Sequence, residues 1–233
     1  SRACINLLGK KSNLLALTQS TPQEFKDLRP WINKGWEMVL LAAEMVRTDS
    51  QLILNRKKIS SSEYSLLCEE ALEFWNFSPD ILQKALDSAR ISAINKDKKK
   101  WLNLHQPFPN VIQRIKYLSE DHIRWGVLTT KGKQFTLELL NSFQLKPDLI
   151  YGHESGSKSK ILKELVKQNY LIIGFIEDRL ETLEIISNTP ELQSIPCYLA
   201  SWGYLKPTDL ASISGAIHLL KPETLAAPLA NWH

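Results

Sequence analysis

Two carboxylates stand side by side at the point where an apolar run ends. In the stretch LIIGFIEDRLETLEII, five of the six residues from 171 to 176 are apolar, and Glu177 and Asp178 follow at once. A short apolar run that turns abruptly polar is typical of a buried strand that ends at the surface. Carboxylate oxygens are preferred ligands of Mg²⁺ and Ca²⁺. The pair therefore predicts part of a metal site at the end of a strand.

Two other segments offer groups that suit the same chemistry. Thr129 and Thr130 end the run WGVLTT, and Lys158 and Lys160 lie at the loop and helix start after YGHESGS. Carboxylates hold a hard cation, a lysine balances the charge of an anionic transition state, and a hydroxyl donates to a phosphoryl oxygen. Together these residues predict a site for a magnesium-bound phosphoryl group.

The second half of the chain has the pattern that would bring these residues together. Short apolar runs alternate with helical segments of about 10 to 15 residues, which predicts βαβ units and a parallel sheet with helices on both faces. Ligands of such sheets bind beyond the carboxyl ends of the strands. The predicted strands are 124–130, 148–152, 170–177, 196–201 and 216–220, and the helices between them are 132–143, 158–169 and 179–188, after a first helix near 110–119.

The first half of the chain is predicted to be mainly helical. Apolar residues recur at a spacing of three and four between residues 24 and 104. Pro30 or Gly35 is expected to interrupt the first helical stretch. Serines at 61 and 62 are expected to cap a second helix, and Ser78 followed by Pro79 is a favourable start for a third.

Composition and charge limit the classes of protein to consider. The 233 residues are 43% hydrophobic, and no apolar stretch approaches the roughly 20 residues that span a bilayer. With no sign of a signal peptide, a cytoplasmic location without membrane contact is expected. The three cysteines are far apart and lack metal-ligand spacing. A net charge of +4, partly in runs such as NKDKKK, is weak support for nucleic-acid binding, and we expect no nucleic-acid partner.

Several of these segments resemble motifs of the haloacid dehalogenase-like hydrolase superfamily. GVLTTKGKQF resembles its second motif, a strand that ends in threonine, at Thr129. YGHESGSKSKILKEL resembles the third motif, with Lys158 as the better match and Lys160 as the reserve. GFIEDRLETL resembles the fourth motif, at Asp178 with Glu177 in support. LRPWINKGWEMVLLAAE and ASWGY resemble stretches of a cyanobacterial and plant branch of the superfamily.

The resemblance implies both a fold and an activity. It implies a Rossmann-like α/β core over residues 107–233 and an inserted helical cap over 1–106. It further implies Mg²⁺-dependent hydrolysis of the phosphate ester of a small metabolite, through an aspartyl-phosphate. Thr129 and Lys158 would be catalytic, Asp178 and Glu177 would bind the metal, and Thr130 and Arg29 would contact substrate. Lys34, Trp36 and Glu37 are further candidates on the cap.

One motif of that family has no counterpart in this sequence. The first motif, a strand that ends in DxD, supplies the nucleophilic aspartate, and its strand lies between those that end in Thr129 and Glu177. We therefore expect roughly 15 to 25 further residues upstream of Ser1. The chain as given is expected to be inactive. Alternatives are a catalytically dead module of this fold that binds phosphate or another ligand, and a basic nucleic-acid-binding protein.

Overall fold

The chain divides into two compact units with separate cores. The structure, a computed structural model, describes residues 2–9, 15, 17–120, 122–213 and 215–232. Contacts cluster within residues 1–101 and within residues 102–233. The boundary inferred from the sequence lies after residue 106. The first unit is helical and the second combines helices with parallel strands, so the protein is mixed α/β.

The helices of the first unit end where the sequence supplies a breaker. The first long apolar stretch is interrupted by a 3₁₀ turn at Arg29–Trp31, which contains Pro30, and by a bend at Gly35. Proline removes a backbone donor and glycine weakens a helix interior. The helices are α1 (Arg2–Leu8), α2 (Gln23–Leu28), α3 (Glu37–Glu44), α4 (Gln51–Leu54), α5 (Ser61–Trp75) and α6 (Pro79–Asn103).

Helix α5 begins with a capping box that sequence reading placed one residue too late. The capping side chain is that of Ser60, whose Oγ accepts from the N–H of Glu63 (3.3 Å), while the Glu63 carboxylate accepts from the N–H of Ser60 (2.8 Å). Ser61 and Ser62 are already inside the helix. Ser60 fits better because only this register puts a carboxylate three residues later.

Helix α6 starts as predicted and is interrupted near its end. The Oγ of Ser78 accepts from the N–H of Ile81 (3.3 Å), and Pro79 occupies the first helical position. At Asp97 the backbone leaves the helical region (φ −162°, ψ 90°), and its carboxylate accepts from the N–H of Lys100 (2.8 Å). Asp97 thus caps a short last segment that carries the basic run.

The core of the first unit is built around α3. Almost every residue of this helix is buried, because the sequence EMVLLAAE is apolar on all sides except at its two ends. Burial of a large aliphatic side chain contributes about 1.5–3 kcal/mol. The most deeply buried side chains here are Leu28, Leu40, Leu41, Leu52 and Leu82.

The second unit contains all five predicted strands, each shorter than its apolar run. Helices separate most of them, as expected for βαβ connections. In chain order the elements are α7 (Val111–Glu120), β1 (Gly126–Leu128), α8 (Lys133–Ser142), β2 (Leu149–Tyr151), α9 (Lys158–Lys167), β3 (Phe175–Glu177), α10 (Leu180–Ser187), β4 (Cys197–Ala200), α11 (Asp209–Ser212), β5 (Ile217–Leu220) and α12 (Pro222–Ala226).

The five strands form two parallel sheets. Strand β1 pairs with β2, so that Leu128 lies opposite Tyr151. Strand β4 lies between β3 and β5 and is fully buried. No strand pairing joins the two sheets within the part of the chain that the structure describes. Leu128 nevertheless packs against the core cluster that contains Phe175, so β1 and β3 share one core.

Strand β3 is the element that departs most from its prediction. The apolar run begins at residue 170, but pairing begins only at Phe175, whose N–H donates to the carbonyl of Pro196 (2.8 Å). Phe175 pairs with Cys197, the first residue of β4, so residues 171–174 extend beyond the start of that strand. They have no strand partner among the described residues. Leu171 is 89% exposed and Ile173 is 50% exposed. Two apolar residues of a run that predicts a buried strand are therefore exposed to solvent.

The described helices include none that is both long enough and apolar enough to span a bilayer.

Candidate functional site

The side chains of Lys158 and Glu177 form an ion pair at the carboxyl end of β3. Lys158 is the first residue of α9, which Ser157 caps by accepting from the N–H of Lys160 (3.3 Å). The ammonium of Lys158 donates to Oε2 of Glu177. Both side chains are largely buried, with 18% and 8% of their surface exposed. Burial excludes competing water, so this contact fixes the two groups relative to each other.

Burial raises the pKa of Glu177 above the ordinary value of 4.5. The charged form loses hydration inside the protein, and this effect exceeds the opposing attraction of the Lys158 ammonium. The adjacent Asp178 carboxylate raises the pKa further, and the guanidinium of Arg179 lowers it.

Asp178 is held by the loop that follows β4. Its Oδ2 accepts from the backbone N–H of Tyr204 (3.1 Å). Gly203 lies so close that a methyl group added there would be 2.1 Å from Cβ of Asp178. Only glycine allows the loop to approach this tightly. The loop and the carboxylate are therefore positioned together.

A second contact fastens the same loop. The ammonium of Lys206 bonds a carboxylate oxygen of Glu181, in the first turn of α10, and its backbone N–H donates to Oδ2 of Asp209 (2.8 Å). Lys206 is buried, and desolvation is the main cause of its lowered pKa. Nη2 of Arg179 lies 4.0 Å from Oε2 of Glu181, so this guanidinium pairs with a neighbouring acid. The loop is thus tied to the acidic segment at two points.

Thr129 lies at the carboxyl end of β1, in the other sheet. Its N–H donates to the carbonyl of Tyr151 (2.9 Å), and its Oγ1 accepts from the N–H of Lys131 (3.1 Å). The hydroxyl hydrogen is not used in these bonds. Thr130 is exposed. Across the described ranges no hydrogen bond links Thr129 to Lys158, Glu177 or Asp178.

The structure thus brings together three of the predicted site residues. Lys158 contacts Glu177, and Asp178 follows Glu177 in the chain. Lys160, the reserve candidate, is exposed at the surface of α9. The residues that sequence reasoning did not assign to the site are Gly203 and Tyr204. Their signal was the short motif ASWGY, whose role became visible only once the loop was placed against Asp178.

The candidate substrate residues Arg29, Lys34, Trp36 and Glu37 lie in the first unit. Glu37 is buried, and its carboxylate accepts from the N–H of Asn33 (2.7 Å) and from the hydroxyl of Tyr64 (3.1 Å). Trp36 packs against the core of that unit. Arg29 is half-buried and Lys34 is exposed. The contacts of Glu37 and Trp36 give both residues a structural role in the first unit.

The acidic pair offers the type of ligand that a magnesium ion takes. Mg²⁺ usually takes one or two carboxylates and completes its coordination with water and substrate phosphate. One oxygen of Glu177 bonds Lys158 and one of Asp178 bonds Tyr204, so each carboxylate keeps a second oxygen. Among the described residues no group of three or more acids, histidines or cysteines forms a closed metal site. The two acids fit an ion that shares its ligands with a phosphate.

Compared with protein-family models, curated proteins and solved structures, the chain matches none.

Proposed function

We propose that this chain is the scaffold of a magnesium-dependent phosphohydrolase of the haloacid dehalogenase type. In this proposal the second unit is a Rossmann-like core and the first unit is a helical cap. The substrate is a small phosphorylated metabolite. The nucleophilic aspartate is carried by a strand that is not part of the given sequence.

The contact between Lys158 and Glu177 carries the proposal. The sequence motifs suggest that a lysine at a helix start and an acid at a strand end belong to one site. These residues are 19 positions apart in the sequence, and their side chains form a largely buried ion pair. Lys160 makes no such contact in the described structure. Asp178 then lies where a metal could join the phosphate to the acidic pair.

The free edges of β1 and β3 support a strand between them. Among the described residues β1 pairs only with β2 and β3 only with β4, and both strands contribute to the same apolar core. Residues 171–174 have the apolar sequence of a buried strand, but they have no strand partner among the described residues, and Leu171 and Ile173 are exposed. An apolar strand in this position would cover Leu171 and Ile173. The carboxyl end of the added strand would lie beside the carboxyl ends of β1 and β3, which precede Thr129 and Asp178.

The residues of the chain have separable roles in hydrolysis. When bound, Mg²⁺ would hold phosphoryl oxygens and offset their charge. The ammonium of Lys158 stabilises the anionic transition state, and the hydroxyl of Thr129 donates to a phosphoryl oxygen. The aspartate on the added strand forms a bond to phosphorus as the ester bond breaks, and the leaving oxygen takes a proton from the second acid of DxD. Water then releases phosphate from the aspartyl-phosphate.

Turnover in an extended chain tests this proposal. The coding sequence is extended upstream through its reading frame, and hydrolysis of a broad panel of phosphate esters is measured with Mg²⁺ and with EDTA. We expect turnover only for the extended protein with Mg²⁺. Asp178→Asn and Lys158→Met should each lower kcat at least about 100-fold, as loss of a transition-state contact does. Lys160→Met, the matched lysine control, should lower it less than about threefold.

Two results would contradict the proposal. One is turnover by the chain as given that disappears in Asp178→Asn, because the nucleophile would then lie within the present sequence. The other is an extended chain without any turnover, which would favour a module that binds phosphate or another ligand and does no chemistry. Retention of phosphate binding in that protein would identify the module.

A further inference from the structure

Two exposed aromatic rings meet at Tyr204, the residue whose backbone N–H donates to Asp178. The ring of Tyr204 is 6.3 Å from that of Phe108, measured between centroids, in an edge-to-face arrangement with an interplanar angle of 64°. Tyr204 is 45% exposed and Phe108 is 41% exposed. Single exposed apolar residues are common on protein surfaces, but two in contact form an organised apolar surface. It includes the side chain of the residue whose backbone N–H holds Asp178.

The position of Tyr204 relative to Asp178 is fixed by backbone contacts. The N–H of Tyr204 donates to Asp178 directly, and the adjacent Gly203 lies against the same side chain. Two residues later, Lys206 is anchored to Glu181. The loop is therefore tied on both sides of Tyr204, which holds this residue at the segment that carries Asp178 and Glu181.

We propose that Tyr204 and Phe108 contact the organic group of the phosphate ester, and that this group carries a flat ring, as an aryl phosphate or a nucleoside monophosphate does. The inference rests on the proposed phosphate site at Asp178 and Lys158. Aromatic side chains favour flat rings, which they contact by offset stacking or edge to face with little ordering of the partner. A ligand with its phosphate near Asp178 would have its organic group at the surface that these two residues form.

Paired ligands of equal charge separate the ring contact from the phosphate contact. Phenyl phosphate and ethyl phosphate are titrated into the full chain with Mg²⁺, and dissociation constants are measured by ligand-observed NMR. We expect phenyl phosphate to bind about tenfold more tightly than ethyl phosphate. Tyr204→Ala should bring this ratio close to one, because it removes the ring and keeps the backbone N–H that holds Asp178. Tyr204→Phe should keep the ratio.

The controls use a residue of similar exposure and the site acid. Tyr117 of α7 is 43% exposed, and Tyr117→Ala should leave the ratio unchanged. Asp178→Asn should weaken both ligands alike. Equal binding of the two ligands, with loss of both in Asp178→Asn, would overturn the ring contact and leave the phosphate site standing. The inference would also be overturned if Asp178→Asn left the dissociation constant of phenyl phosphate unchanged, or if neither ligand bound.

Discussion

At the scale of single residues, the site depends on a buried charged group and on a close backbone approach, both of which are energetically unfavourable by themselves. The carboxylate of Glu177 is largely buried, and Gly203 lies so close to Asp178 that no side chain fits at its position. Each is compensated by a neighbour: Glu177 by the ammonium of Lys158, and the close approach at Gly203 by the hydrogen bond of the next residue to Asp178. Such groups are sensitive to substitution in ways that can be measured without turnover.

The raised pKa of Glu177 predicts how stability changes with pH. The folded protein keeps this proton at pH values where the unfolded chain has lost it, so the contribution is present below the ordinary value of 4.5 and is lost as pH rises through the raised pKa. Glu177→Gln lacks this dependence. Measured by urea unfolding in EDTA, the variant should gain stability relative to the parent as pH rises above 4.5.

Glu191 provides a control of opposite sign. Its pKa is lowered by a hydrogen bond to its own backbone and by Lys163, whose Nζ lies 3.1 Å from its carboxylate. Its stabilisation is present above the ordinary pKa and is lost as pH falls. Glu191→Gln should therefore lose stability relative to the parent as pH rises. If the stability of both variants relative to the parent changed with pH in the same direction, the raised pKa of Glu177 would be contradicted.

The approach of Gly203 to Asp178 predicts a steric effect. An added methyl group would overlap Cβ of Asp178, so Gly203→Ala should lower the free energy of unfolding by about 1–3 kcal/mol. Gly35→Ala is the matched control, because its nearest contact is the flexible end of Leu86 at 3.2 Å. Its effect should be below about 1 kcal/mol. Equal effects in chemical denaturation would mean that the loop is not held against Asp178.

At the scale of elements, local signals decided where helices begin and partners decided where strands begin. Helix α5 starts at a capping box and α6 at a serine followed by proline, and all these residues are close in sequence. Strand β3 begins only where β4 can pair with it, although its apolar run starts earlier. A helix satisfies its own backbone groups, whereas a strand needs a neighbour.

The capping box of α5 gives a prediction at this scale. Ser60→Ala should lower the free energy of unfolding by about 1 kcal/mol, because the N–H of Glu63 loses its acceptor. Ser61→Ala, one residue on and inside the helix, should change it by less than about 0.5 kcal/mol. Thermal and urea unfolding would measure both. A larger loss at Ser61 would restore the helix start that the sequence first suggested.

At the scale of the whole molecule, two units with separate cores share one chain. The first has a core of helices around α3, and the second has two parallel sheets with a common apolar cluster. A strand added between β1 and β3 would contribute to the second core alone. Its effect should therefore be local to residues near those strands.

Hydrogen exchange would detect this effect. In a chain extended by the upstream reading frame, backbone amides of residues 126–128 and 171–177 should exchange at least about tenfold more slowly, since they gain partners and burial. Amides of residues 61–75, in the first unit, serve as the internal reference and should not change. Slower exchange throughout the chain, or unchanged exchange at residues 171–177, would contradict the added strand.

The sequence by itself determined the types and order of the elements. Apolar runs, helical periodicity and the serine and proline signals identified the five strands and the helices that separate the first four of them, because these features depend on neighbours within a few residues. The short helices α11 and α12 were not predicted. The order of threonine, lysine and acidic pair could also be read directly. The cap of α5 was assigned to Ser61 and Ser62, although only Ser60 has a glutamate three residues later in the sequence.

Only the tertiary structure decided which of these residues meet. It selected Lys158 over Lys160 as the partner of Glu177, enclosed Glu37 in the first core, and laid Gly203 and Tyr204 against Asp178. It also divided the strands into two sheets and left residues 171–174 unpaired. These outcomes depend on contacts between segments far apart in the chain, whose energies are set by packing and burial and are absent from any local pattern of residues.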